Sequence, residues 1–219
     1  MNKTVEDSLV ETLLAHLPRD LCMSLDDGFS SAARRAFSDT AQRHDGHRAS
    51  CLGIARHQHQ NEVFAQALDA SSIPRNPLRG NDIIVGQVGP LLLGRFSVSS
   101  STWNNVRRSQ RRLNLAQSNL WLERLVQPEL FGQIWPVEEA RVAVFFVSVF
   151  SGSLAVQPEQ PLAVQIVVPD SSLTSQLFCE PLSQFAARFA LPAPQEDMAR
   201  PRLKKAAEKT KTGTDGSQT

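Results

Sequence analysis

The sequence predicts an α+β fold: a single domain with a mostly antiparallel sheet, a central basic helix and N-terminal helices, plus a disordered C-terminal tail. Three observations carry that expectation. Apolar residues recur at helical spacing near the N-terminus, and later stretches have strand character. Between the strand-like stretches lies a long arginine-rich segment free of proline and glycine. Composition sets the boundaries, with residues 1–72 as the N-terminal helical part, 73–191 as the sheet-containing core with the basic helix, and 192–219 as the tail.

At the N-terminus, Val5, Leu9, Leu13 and Leu17 are four apart and Pro18 ends the pattern, which predicts a short amphipathic helix. A second helix is expected after Asp26-Asp27-Gly28, with Phe29, Ala33 and Phe37 on one face. The stretch between these helices is too long for the tight turn of a helix-turn-helix unit. Residues 50–55 read as a short strand, and Val63, Phe64, Ala67 and Leu68 continue as a helix. Two prolines and a glycine make residues 71–82 a loop.

Residues 82–98 predict strand, turn and strand, with the turn at 86–90. Residues 141–150 are almost continuously apolar and rich in branched side chains, as expected of a central strand buried on both faces. Another strand is expected at 162–168. Pro181 suits the first position of a closing helix that buries Leu182, Phe185, Ala186 and Phe189. The apolar stretch 127–136 is expected to tuck under the fold. Beyond Pro192 too little apolar surface remains to offset the entropy of ordering the chain.

The basic segment, residues 103–125, sets five arginines against the single acidic residue Glu123. On a continuous helix, Arg107 with Arg111 and Arg108 with Arg112 form two adjacent stripes. Guanidinium forks match phosphate oxygens, and Trp103 is placed to stack on a base. The leading expectation is a non-enzymatic intracellular regulatory or accessory protein that binds nucleic acid, DNA included. Arg107, Arg108, Arg111, Arg112 and Trp103 are the contact residues. A net charge of +1 means any attraction to a polyanion must be local.

Several chemistries are excluded. The chain has no tyrosine, so no tyrosine nucleophile exists. Lysine occurs at Lys3 and then not until Lys204, which removes P-loop, protein-kinase and Schiff-base chemistry from the body. Cys22, Cys51 and Cys179 are scattered, with neither a CxxC pair nor a disulfide framework. No nucleophile elbow or EF-hand pattern appears, and no cofactor is expected. The acidic N-terminus does not resemble a signal peptide, and the longest apolar run is too short to span a bilayer. The expected location is cytoplasmic, without membrane contact.

Four of the five histidines fall within residues 44–62. A second expectation is therefore a metal-dependent hydrolase or nuclease using His57, His59 and Glu62, joined by His44 or His47. A third is an adaptor in which the basic segment meets an acidic protein partner.

Overall fold

The computed structural model describes residues 5–80, 82–100, 103–126, 141–152 and 157–189. The expected tuck of residues 127–136 and the tail beyond 192 lie outside them. Helices α1 (Val5–His16), α2 (Arg19–Asp39) and α3 (Asp45–Ala70) come first. Strands β1 (Gly86–Val88) and β2 (Leu91–Ser99) follow, then a crossover containing α4 (Gln110–Ala116) and α5 (Leu120–Val126). The chain continues through β3 (Val142–Phe150), β4 (Ala163–Pro169), β5 (Gln176–Pro181) and α6 (Leu182–Ala187). The fold is α+β, as the sequence predicts.

The five strands lie in chain order in one sheet. Three neighbouring pairs are antiparallel, but the pair β2–β3 is parallel. A parallel pair needs a crossover of a dozen or more residues, and the arginine-rich segment supplies it. One sheet face carries Leu91, Leu93, Val144, Phe146 and Ile166 against α1, α2, α3 and α6. The opposite face carries Phe96, Phe145, Val147 and Val167 against the crossover.

Leu9, Leu13 and Leu17 are buried at the predicted spacing. The second helix departs from expectation, beginning at Arg19 directly after Pro18 and running through Gly28 without a turn. Gly28 serves close helix packing instead, because a Cβ there would stand 2.5 Å from Val63 Cγ1 on α3. Residues 50–55, expected as a strand, are helical within α3. The hairpin turn contracts to Gly89-Pro90. Gly89 has φ +51, and a Cβ there would strike His16.

The basic segment is not one continuous helix. A 3-10 helix, Trp103–Arg108, stops at Ser109, which is extended, and α4 starts afresh. Trp103 and Val106 pack toward the sheet three residues apart, which suits a 3-10 turn, a form seldom sustained for long. Asn119, in the 3-10 turn Gln117–Asn119, ties the crossover to the sheet. Its side chain bonds both the N–H and the C=O of Ala143, at 2.6 and 3.0 Å, and the C=O of Pro169 at 2.8 Å. β4 pairs with β3 only over Phe145–Val149, so Asn119 takes the place of a strand neighbour beside Ala143.

Candidate functional site: an arginine-lined cavity at the end of the parallel pair

Helix α3 buries Leu52, Arg56, Gln60, Phe64 and Leu68, a stripe of residues four apart with two polar members. On β2, side chains of one parity face α3, so Arg95 and Ser97 follow Leu91 and Leu93 toward the helix. The two polar sets meet. Arg95 donates from Nε to Asn61 Oδ1 at 2.7 Å and from Nη1 to Gln60 Oε1 at 2.8 Å. Its Nη2 reaches the His57 carbonyl at 2.6 Å and His57 Nδ1 at 2.9 Å. Gln60 also accepts from Ser97 Oγ and donates to Ser148 Oγ. Every one of these acceptors is neutral.

Next to this network opens a cavity of about 470 Å³ at the carboxyl ends of β2 and β3. Such positions in open sheets commonly receive ligands. Arg56, Arg95 and Arg112 all line it, and no carboxylate does among the described residues. Arg56 lies over the Phe150 ring at 4.3 Å, with Nη1 donating to Gln157 Oε1 at 2.9 Å and Nη2 donating to the Pro158 carbonyl. Arg112 lies over Phe96 at 5.1 Å. The Nε groups of Arg56 and Arg112 are buried without a hydrogen-bond partner among the described residues, as is Trp103 Nε1. All three orphaned groups are donors.

Burial, with Arg112 nearby, pushes the Arg95 guanidinium down to about 9, and burial alone pushes Arg56 down to about 10. Burial also lowers Arg112. All three remain cationic at neutral pH. Three cations packed in low dielectric, with no counter-ion among the described residues, oppose one another and are costly to desolvate. A bound anion would relieve both penalties.

His57 stands at the edge of this field. Burial first, then Arg95 and Arg112, pushes its imidazole down from 6.5 to about 4. The folded pKa lies below the unfolded one, so between these values the unfolded chain binds more protons. Stability should therefore fall as pH is lowered through that window and lose this dependence above it. Because the ring is partly exposed, screening reduces the loss to roughly 1–2 kcal/mol. Denaturant titrations at several pH values check this, since His57→Gln should lack that component. An identical pH slope in the variant would remove His57 as its source.

The residues singled out by sequence are dispersed. Arg107 and Arg108 are exposed on the 3-10 turn, whereas Arg111 pairs with Asp82 at the surface. Arg112 turns into the cavity, and Trp103 is half-buried with its ring 5.8 Å from that of Phe96. The four arginines thus do not form two outward stripes, because the break at Ser109 separates Arg107 and Arg108 from the other two. His57 and His59 also part company. Two residues apart on a helix, they point to different sides, His57 toward Arg95 and His59 toward Asp39 at 2.8 Å and Glu62 at 3.4 Å. His44 caps α3 by accepting from the Gly46 N–H, and its ring lies 6.2 Å from that of His47. Among the described residues, no three His, Cys, Asp or Glu side chains come together to hold a metal ion.

Arg56, Arg95, Gln60 and Asn61 were not singled out from sequence. The signal for Arg95 was its strand phase, shared with Leu91 and Leu93. The signal for Arg56 and Gln60 was their place between Leu52 and Phe64, legible only once residues 50–55 are known to be helical.

Compared with protein-family models, curated protein sequences and solved structures, the chain matches none of them. Fold and site together define an α+β protein with a mixed five-stranded sheet and a cationic cavity at the end of its parallel pair. No helix among the described residues is long and apolar enough to cross a membrane.

Proposed function

We propose that this is a non-enzymatic binding protein, regulatory or accessory in type, whose arginine-lined cavity receives an anionic group of its partner. One observation carries the reading: Arg56, Arg95 and Arg112 line a single cavity that no carboxylate lines among the described residues. A cytoplasmic setting suits Cys22, Cys51 and Cys179, all of which are free thiols. Sulfate or phosphate, compared with chloride at equal ionic strength, should raise the melting temperature. Anion at a hundredfold excess over its Kd would stabilise by about 2.7 kcal/mol. Arg112→Gln should remove most of that gain. Equal melting curves in sulfate and chloride would leave the proposal without support.

A second reading keeps nucleic acid as the partner. It is favoured by Arg107 and Arg108, exposed on the turn whose Asn105 and Val106 wall the cavity. Phosphate contacts make binding fall steeply with salt, and Arg107→Glu with Arg108→Glu should flatten that dependence. A chain that retains neither DNA nor RNA at low salt would eliminate this reading.

A further inference from the structure

Two features of the cavity go beyond its charge. The first is how its arginines are held. Each nitrogen of Arg95 is already hydrogen-bonded to a neutral acceptor, so this residue contributes more field than contact. Arg56 and Arg112 lie on the rings of Phe150 and Phe96. An aromatic face orients a guanidinium without spending its N–H groups. The Nε donors of both, buried and unpartnered among the described residues, are thereby left for a ligand.

The second feature is room. At about 470 Å³ the cavity falls in the range of roughly 300–1,000 Å³ that receives whole small molecules, and it exceeds what a bare oxyanion needs. Phe96, Val98, Val106, Phe150 and Pro158 give it apolar walls. Gly53 lines it too, on the same face of α3 as Arg56 and His57, which follow it by three and four residues. Glycine is, after proline, the poorest residue for a helix interior. Close packing by Val63 explains Gly28, but a Cβ at Gly53 would meet nothing within 4 Å. No contact among the described residues calls for glycine there, and its missing side chain leaves clear space along the cavity wall.

We infer that the cavity takes a free small molecule, a phosphate monoester on a flat apolar ring, with the phosphate at Arg56 and Arg112 and the ring against the wall beside Gly53. The inference rests on reading the cavity as an anion site and names the class of ligand. A phosphate monoester carries about two negative charges at neutral pH and three terminal acceptor oxygens. That matches a lining of three arginines with no carboxylate among the described residues, whose unpartnered groups are donors. A flat ring suits walls that include two phenylalanines and loses little conformational freedom on binding.

The test is calorimetric titration of the full chain with naphthyl phosphate, naphthoate, naphthol and inorganic phosphate. Naphthyl phosphate should bind at least about tenfold more tightly than each of the others, the ring adding to the phosphate and the second charge adding to the carboxylate. Arg112→Gln should weaken it by a similar factor. Gly53→Ala should raise the melting temperature of the unliganded chain by roughly 2 °C, because alanine is the better helix former. Gly53→Leu should fold as well as the wild type but reduce the advantage of naphthyl phosphate over inorganic phosphate to about twofold. If that advantage is absent in the wild type, or survives Gly53→Leu intact, the small-molecule inference fails, and a sulfate-dependent rise in melting temperature would leave the anion cavity standing. If naphthoate binds as tightly as naphthyl phosphate, the phosphate assignment is wrong. If neither sulfate nor phosphate acts on the chain, both readings fall together. Tighter binding of oligothymidylate or of an end-blocked phosphoserine peptide would make a macromolecule the occupant and overturn the inference.

Discussion

Replacing Phe64 by alanine should cost about 4 kcal/mol of unfolding free energy, the range for a fully buried aromatic side chain. For a chain of this size the melting temperature should drop by roughly 10 °C. Phe64 is fully buried, with its ring 6.3 Å from that of Phe29 on α2 and 6.0 Å from that of Phe146 on β3. It joins both long helices to the sheet at one point, so no single element can shift to fill the void. Phe64→Leu keeps much of the volume and should cost clearly less. Because α3 also carries Arg56, His57, Gln60 and Asn61, the alanine variant should weaken the sulfate response as well as the fold. Denaturant titration measures the first effect, and a loss below about 1 kcal/mol would mean that α3 is not seated through this ring.

Asn119→Ala should cost about 3 kcal/mol, although it removes little apolar surface. The loss comes from three hydrogen bonds made by one buried side chain to Ala143 and Pro169. Truncation strands a buried N–H and two buried carbonyls, and each unpaired group carries its own desolvation penalty. Asn119→Asp provides the sharper control. It preserves shape but replaces the donor amide with an acceptor facing two carbonyl oxygens, so it should be at least as damaging as alanine. If Asn119→Asp proves nearly neutral in denaturant titrations at neutral pH, the proposed strand-like pairing is wrong.

Much of the scaffold was legible because short-range pattern determines it. The four-residue spacing of Leu9, Leu13 and Leu17 marked α1, continuous branched apolar residues marked β3, and Pro181 marked the start of α6. Errors arose where a local pattern suits two states. Residues 50–55 are compatible with a strand in isolation, but Leu52 and Arg56 join Gln60 and Phe64 in one helical stripe. The break at Ser109 had no punctuation in the sequence, since neither proline nor glycine marks it. β5 was missed for a similar reason: Gln176–Pro181 is short and only partly buried, with no clean alternation to read.

The sequence by itself determined the class of fold, the main apolar elements and the absence of tyrosine and body-lysine chemistry, because composition and periodicity act within a few residues. Only the tertiary structure decided which arginines come together. Arg56, Arg95 and Arg112 come from α3, β2 and α4, and the parallel pairing of β2 with β3 brings those elements to one end of the sheet. Their convergence depends on long-range packing, which no spacing along the chain records. Charge density along the chain pointed to Arg107 and Arg108. The three arginines that line the cavity without a counter-ion among the described residues are far apart in sequence.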